Sequence, residues 1–157
     1  MVEIERKFLV KSNEFMDEAI AKKKIVQGFL NTHPERTVRV RINGYKGYLT
    51  VKGISNKEGT TRFEWEKEIE FEEAKSLLGL CEENVIEKTR YKIPNGEFVF
   101  EVDEFLNENE GLVIAEIELR NENDVFDQPE WLGEEVTGQL KYYNSLLSKK
   151  PYKSWKK

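Results

Sequence analysis

Like charges recur two residues apart along this sequence: Glu3 with Glu5, Arg39 with Arg41, Glu64 with Glu66, Lys88 with Arg90, Glu101 with Asp103, and Glu116 with Glu118. On an extended chain such pairs project from one face, about 7 Å apart, and repel each other unless opposite charge lies between or across from them. Two arrangements answer that repulsion. On an open sheet, acidic and basic strands would form exposed ion-pair ladders, each contact contributing about 0–1 kcal/mol. In a closed sheet the same side chains would converge on a lumen. Lys and Arg would then clamp phosphate oxygens, and carboxylates would offer hard ligands to Mg²⁺ or Mn²⁺. The chemistry of the second case is that of a polyanion held together with a divalent metal.

The residues between these charges must position them. Val2, Ile4 and Phe8 alternate with Glu3, Glu5 and Lys7; Val38, Val40 and Ile42 with Arg39 and Arg41. Leu49 and Val51 alternate with Thr50 and Lys52, and Phe63 and Trp65 with Arg62, Glu64 and Glu66. The same period of two returns over 85–93, 98–105 and 113–119, and it is the signature of strands. Asn43-Gly44 and Pro94-Asn95-Gly96 read as hairpin connections, and 56–59 and 107–111 as polar loops. Hairpin-length loops cannot make parallel crossovers, so about eight strands in a mostly antiparallel meander are expected. A sheet whose apolar face packs outward against helices and whose charged face turns inward is a tunnel.

Helices are expected at three places. Residues 13–22 carry Asn13 as N-cap and Phe15, Met16, Ala19 and Ile20 as an apolar stripe; residues 72–78 begin acidic and stop before Gly79. Residues 139–149 put Leu140, Tyr143, Leu146 and Leu147 on one face. A short fourth helix would start after Asp127, with Pro129 in its first turn. The fold class is α+β.

The chain has 157 residues, one domain's worth, and no linker or repeat divides 1–157. Charged residues make up 35% of it, above the usual ~25%. The net charge of −5 argues against nucleic acid as a partner. No run approaches the roughly 18 apolar residues of a membrane span, and the single Cys81 cannot form an internal disulfide, so the cytosol is the default expectation. Nothing fixes the oligomeric state. His33 reads as a loop residue, Cys81 as a structural thiol, and Lys22-Lys23-Lys24 as a solvated helix end.

The ordered set of motifs resembles a known family. Glu3-Ile4-Glu5-Arg6-Lys7-Phe8 is similar to the Glu-x-Glu-x-Lys first strand of the CYTH superfamily, the triphosphate tunnel metalloenzymes. Gln27-Gly28-Phe29-Leu30, Val38-Arg39-Val40-Arg41, Leu49-Thr50-Val51-Lys52 and Arg62-Phe63-Glu64-Trp65-Glu66 resemble the strands that follow in its small bacterial members. Lys88-Thr89-Arg90-Tyr91, Glu101-Val102-Asp103 and Ala115-Glu116-Ile117-Glu118-Leu119 resemble the last three. Tyr142-Tyr143-Asn144-Ser145 resembles the terminal helix. Two positions depart: Phe29 stands where such members often have Tyr, and Lys141 where the terminal helix usually carries Arg.

The resemblance implies a closed eight-stranded antiparallel β-barrel with short flanking helices, binding a triphosphate with Mg²⁺ or Mn²⁺. It implies that Lys7, Arg39, Arg41, Lys52, Lys88 and Arg90 hold phosphate oxygens. Glu3, Glu5, Glu64, Glu66, Asp103, Glu116 and Glu118 would ligate metal or orient water, and Lys7, Lys52, Glu66 and Lys88 form the implied catalytic set. Hydrolysis of inorganic triphosphate or a related triphosphate is the expected reaction. Adenylate cyclase, thiamine triphosphatase and a non-catalytic polyphosphate or nucleotide binder stand as alternatives. The acidic set argues against the last, because a pure binder needs cations more than carboxylates.

Overall fold

The computed structural model describes residues 1–155. Nine strands form one sheet: β1 (Val2–Val10), β2 (Ala21–Asn31), β3 (Arg36–Asn43), β4 (Lys46–Ser55), β5 (Thr61–Ile69), β6 (Ile86–Asn95), β7 (Phe98–Phe105), β8 (Val113–Glu118) and β9 (Leu132–Glu135). The order β5-β4-β3-β2-β6-β7-β8-β1 closes on itself, because β1 also pairs with β5 through Val2↔Phe63, Glu3↔Arg62 and Ile4↔Thr61. Eight antiparallel strands thus make the expected closed barrel, and the open-ladder alternative is set aside. β9 is an addition. Glu5–Leu9 of β1 pair with β8, and β9 takes the opposite edge at Phe8 and Val10, beyond the point where β5 stops.

The Asn-Gly hairpins form where expected, joining β3 to β4 and β6 to β7. The helices differ more. Helix α2 (Phe71–Leu78) forms, its start fixed by reciprocal capping between Glu70 and Glu73. Of the helix expected over 13–22 only one turn exists, α1 (Phe15–Glu18). Ala21 onward is drawn into β2, whose edges are filled by β3 and β6, so two ladders of backbone hydrogen bonds outweigh the local pattern. Lys22, Lys23 and Lys24 therefore lie on a strand, not a helix end, with Lys24 paired to Glu87 at 2.9 Å. The expected helix over 139–149 is a 3₁₀ turn at Leu140–Tyr142 followed by α3 (Asn144–Leu147), and Leu140 is exposed. The short helix expected to start just after Asp127 does not form, and the chain there runs into β9. Among the described residues no helix is long and apolar enough to cross a membrane.

Two apolar clusters frame the barrel. One lies on its outer face, where Phe8, Phe15, Tyr91, Phe100 and Trp131 pack edge to face, with Phe100 and Trp131 centroids 5.3 Å apart. Each fully buried side chain there contributes roughly 1.5–3 kcal/mol. The other cluster contains Phe29, Phe105 and Ile114, which continue the inward-facing series of β2, β7 and β8 beyond Gln27, Asp103 and Glu116. Val136, Tyr142 and Leu147 from the C-terminal segment complete it. The bore therefore changes along its axis from charged to apolar, and the C-terminal segment closes the apolar end.

Candidate active site

The charged faces meet around one cavity of about 240 Å³. β3 and β6 supply its basic wall with Arg39, Arg41, Lys88 and Arg90; β1, β5 and β8 supply its acidic wall with Glu3, Glu5, Glu64, Glu66, Glu116 and Glu118. Lys7 and Lys52 stand within the acidic side. Lys52 Nζ donates to Glu3 at 3.0 Å and lies 3.3 Å from Glu64, while Lys7 Nζ is 3.6 Å from Glu116 and 4.8 Å from the centre of the Tyr143 ring. Arg39 and Arg41 converge on Glu66 Oε2 at 3.3 and 3.4 Å, where the Thr50 hydroxyl also donates at 2.6 Å. A smaller cavity of about 120 Å³ shares Arg90 and continues the basic wall past Lys23, Asn43 and Lys92.

Asp103 is the expected site residue that does not line the cavity. It is buried, with Arg90 donating to its two oxygens at 2.7 and 2.8 Å and Lys88 Nζ at 2.9 Å. Strand alternation had placed it correctly on the inner face, but the two longer basic side chains cover it. Its position suits holding Lys88 and Arg90, not reaching a metal. Glu101 does line the cavity, 3.3 Å from Arg90.

Other lining groups were outside the expected set. Arg62 belongs to the same alternating series as Glu64 and Glu66, so period two could have found it. Thr137, Gly138, Tyr143 and Asn144 come from the closing C-terminal segment, and no strand pattern points to them. His33 is an exposed loop residue, and the half-buried Cys81 thiol, pushed up by burial, donates to Leu77 O at 3.5 Å.

Electrostatics separate the acidic groups into two kinds. Burial pushes the Glu116 carboxyl up, but Lys7 and Arg90 hold it down at about 2; burial of Glu3 is likewise outweighed by Lys52. Burial and the Glu116 and Glu3 carboxylates instead drive Glu5 up to about 8, and burial with Glu3 raises Glu64 and Glu118. Glu5 and Glu118 face each other in register across β1 and β8, and neither has an ion pair among the described residues. This wall carries more negative charge than its lysines neutralise. Its donors are all carboxylate oxygens, so the residues fit a hard divalent cation. Among the described residues no three carboxylates already converge as a ready-made cage. Nε of Arg39 and Arg41 on the basic side, and of Arg62 on β5, is buried without an acceptor. Burial, then Arg39 and Arg90, lower Arg41 to about 10, with Glu66 and Glu101 opposing the fall.

A closed barrel with opposed basic and acidic walls around one polar bore defines a polyanion-binding tunnel. The CYTH domain family model matches residues 1–151, and the chain belongs to that family. It is 52% identical over 156 residues to an inorganic triphosphatase of Acetivibrio thermocellus, covering 98% of this chain and 97% of the relative. It is 35% identical over 153 residues to an inorganic triphosphatase of Nitrosomonas europaea, covering 94% and 97%. The crystal structure of the inorganic triphosphatase NE1496 matches with a TM-score of 0.66 at 32% identity, over 93% of this chain and 97% of that one.

Proposed function

We propose that this chain hydrolyses inorganic triphosphate to pyrophosphate and orthophosphate with Mg²⁺ or Mn²⁺. The observation that carries this reading is the segregation of charge in one bore: Arg39, Arg41, Lys88 and Arg90 line one wall, and the other carries Glu5 and Glu118, which have no ion pair among the described residues. The names of the two relatives, both inorganic triphosphatases, support it.

Arg39, Arg41, Lys88 and Arg90 would bind the phosphate chain, supplying the acceptor-seeking donors that a polyanion satisfies. Glu66 fixes Arg39 and Arg41 side by side, and Asp103 does the same for Lys88 and Arg90. Glu5 and Glu118, with Glu3, Glu64 and Glu116 beside them, would hold the metal. When bound, the cation neutralises phosphate oxygens and makes water easier to deprotonate. Water oxygen bonds to the terminal phosphorus as the bridging P–O bond breaks, and the water proton ends on the products or on solvent. Lys7 and Lys52 place positive charge beside the acidic wall, where the transferring group's oxygens would be stabilised. The chain's contribution is position and charge, which is what phosphoryl transfer requires.

The test is to incubate the protein with inorganic triphosphate, ATP and thiamine triphosphate, with and without Mg²⁺ or Mn²⁺, and to measure phosphate, pyrophosphate and cyclic AMP. Metal-dependent phosphate release that is fastest from inorganic triphosphate is the expected result. Cyclic AMP as the main product, or saturable binding without turnover, overturns the reading.

A further inference from the structure

Asn144 lies in the segment that closes the bore, and its side chain lines the cavity. Its Oδ1 accepts two hydrogen bonds from the wall behind it, from Gln27 Nε2 at 2.8 Å and from Lys88 Nζ at 3.0 Å. Gln27 is fully buried and Lys88 nearly so, so both donors are fixed by the packing of β2 and β6. Two donors on one oxygen set the orientation of the amide. A flipped amide would turn its NH₂ group toward the ammonium and the Gln27 NH₂, donor against donor. The Nδ2 group is thereby held away from that wall. It has no hydrogen-bond partner among the described residues, yet it is not among the buried polar atoms left without one. A neutral, oriented donor is thus open to the cavity beside the Lys88 ammonium.

We propose that Asn144 is a substrate-binding residue whose Nδ2 donates to a terminal phosphate oxygen at the closed end of the bore, with Gln27 as the positioning residue that aims it. The inference rests on the triphosphate reading above. A phosphate oxygen takes what this corner offers: a charge from Lys88 and a directed N–H from Asn144. The remaining groups nearby are already committed or apolar, with Asp103 paired to Lys88 Nζ at 2.9 Å and the Phe105 ring centre 5.4 Å from it. A donor that reads an oxygen lone pair there favours a fully ionised terminal phosphate over an end that carries an ester.

The experiment compares wild type with Asn144→Asp, Asn144→Ala and Gln27→Ala. It measures kcat and KM for inorganic triphosphate with Mg²⁺, the calorimetric affinity for inorganic triphosphate, and the melting temperature. Asn144→Asp keeps the shape and still accepts from Lys88 and Gln27, but turns an acceptor toward the phosphate. It should raise KM and weaken affinity by about tenfold or more, with a smaller change in kcat. Asn144→Ala should give a several-fold loss, and Gln27→Ala a loss in the same direction. Affinity and KM within about twofold of wild type in a folded Asn144→Asp protein overturn the proposal. If that variant does not fold, Asn144→Ala decides by the same criterion. Failure of the wild type to turn over triphosphate removes the functional reading alone, and the calorimetric comparison still judges Asn144.

Discussion

Lys88, Arg90 and Asp103 form a buried cluster in which two cations share one carboxylate. Burial opposes ionisation of Asp103, but Arg90 and Lys88 hold its carboxyl well below the usual carboxylate range. Replacing it by Asn would leave the buried Lys88 without its carboxylate and Arg90 with only Glu101 and Glu116, at 3.3 and 3.7 Å. Breaking a buried pair in this way costs about 3–5 kcal/mol, so Asp103→Asn should lower the melting temperature by on the order of 10 °C. An unchanged thermal unfolding curve would show that the cluster contributes nothing to folding. Lys88 itself is driven down to about 8 by burial, with Asp103 opposing and Arg90 adding to the fall. In the proposed reaction it holds phosphate as an ammonium, so kcat/KM, which reports the free enzyme, should fall as pH rises through about 8. A bound polyanion stabilises the ammonium, so the corresponding limb in kcat should lie at higher pH. A pH profile of kcat/KM that stays flat from 7 to about 9.5 would remove Lys88 from substrate binding. Alternation along the strands made most of the lining legible, because period two fixes which face a side chain takes. It does not fix depth, which is why Asp103 reads the same as Glu101 in sequence and ends behind two longer side chains.

At the scale of elements, the strands, the Asn-Gly hairpins and α2 were legible, and the other segments between strands were not. The sheet's polar and apolar faces repeat a local rule at every strand, whereas α1 and the 140–147 turns depend on what they pack against. Phe15, Met16, Ala19 and Ile20 do make a helical stripe, yet only Phe15 is fully buried, and the chain beyond it satisfies more backbone groups as β2 than as helix. The closing segment carries a helical stripe at Leu140, Tyr143, Leu146 and Leu147, yet it breaks into a 3₁₀ turn and a single short helix. Its position is set by contacts such as that between the β4–β5 loop and Gly138. A Cβ built on Gly59 would lie 2.3 Å from Gly138 Cα, and Gly59 has φ +79°, so only glycine allows this approach. Both residues line the cavity, as does Tyr143, whose hydroxyl is 3.4 Å from Ser55 Oγ. Gly59→Ala should therefore push the β4–β5 loop off the closing segment, destabilise the protein by about 1–3 kcal/mol, and raise KM for triphosphate more than it changes kcat. Chemical denaturation and steady-state kinetics together test this. Wild-type values in both would mean the loop accommodates the methyl group and does not shape the bore.

Across the whole molecule, the closed barrel turns a repulsive arrangement into a receptor. The basic wall crowds Arg39 and Arg41 onto the single Glu66 carboxylate, and the acidic wall lacks cations at Glu5 and Glu118. Each wall therefore stores electrostatic repulsion that the other's ligand does not relieve. Inorganic triphosphate alone would neutralise the arginines and add negative charge facing Glu5 and Glu118; a divalent cation alone would do the converse. Bound together they neutralise both walls and each other, so their binding must be positively coupled, and the coupling is reciprocal. A ligand at 100 times its Kd stabilises the folded state by about 2.7 kcal/mol. Thermal shift with triphosphate alone, Mg²⁺ alone and both should show a joint rise in melting temperature larger than the sum of the separate rises. Calorimetric affinity for Mg²⁺ should also be higher when triphosphate is present. Glu118→Gln, which removes one unpaired charge from the acidic wall, should shrink that excess while leaving the shift from triphosphate alone the same or larger. Separate shifts that simply add would mean the two walls do not share a ligand. The opposed charges of this barrel would then serve its architecture and not its chemistry.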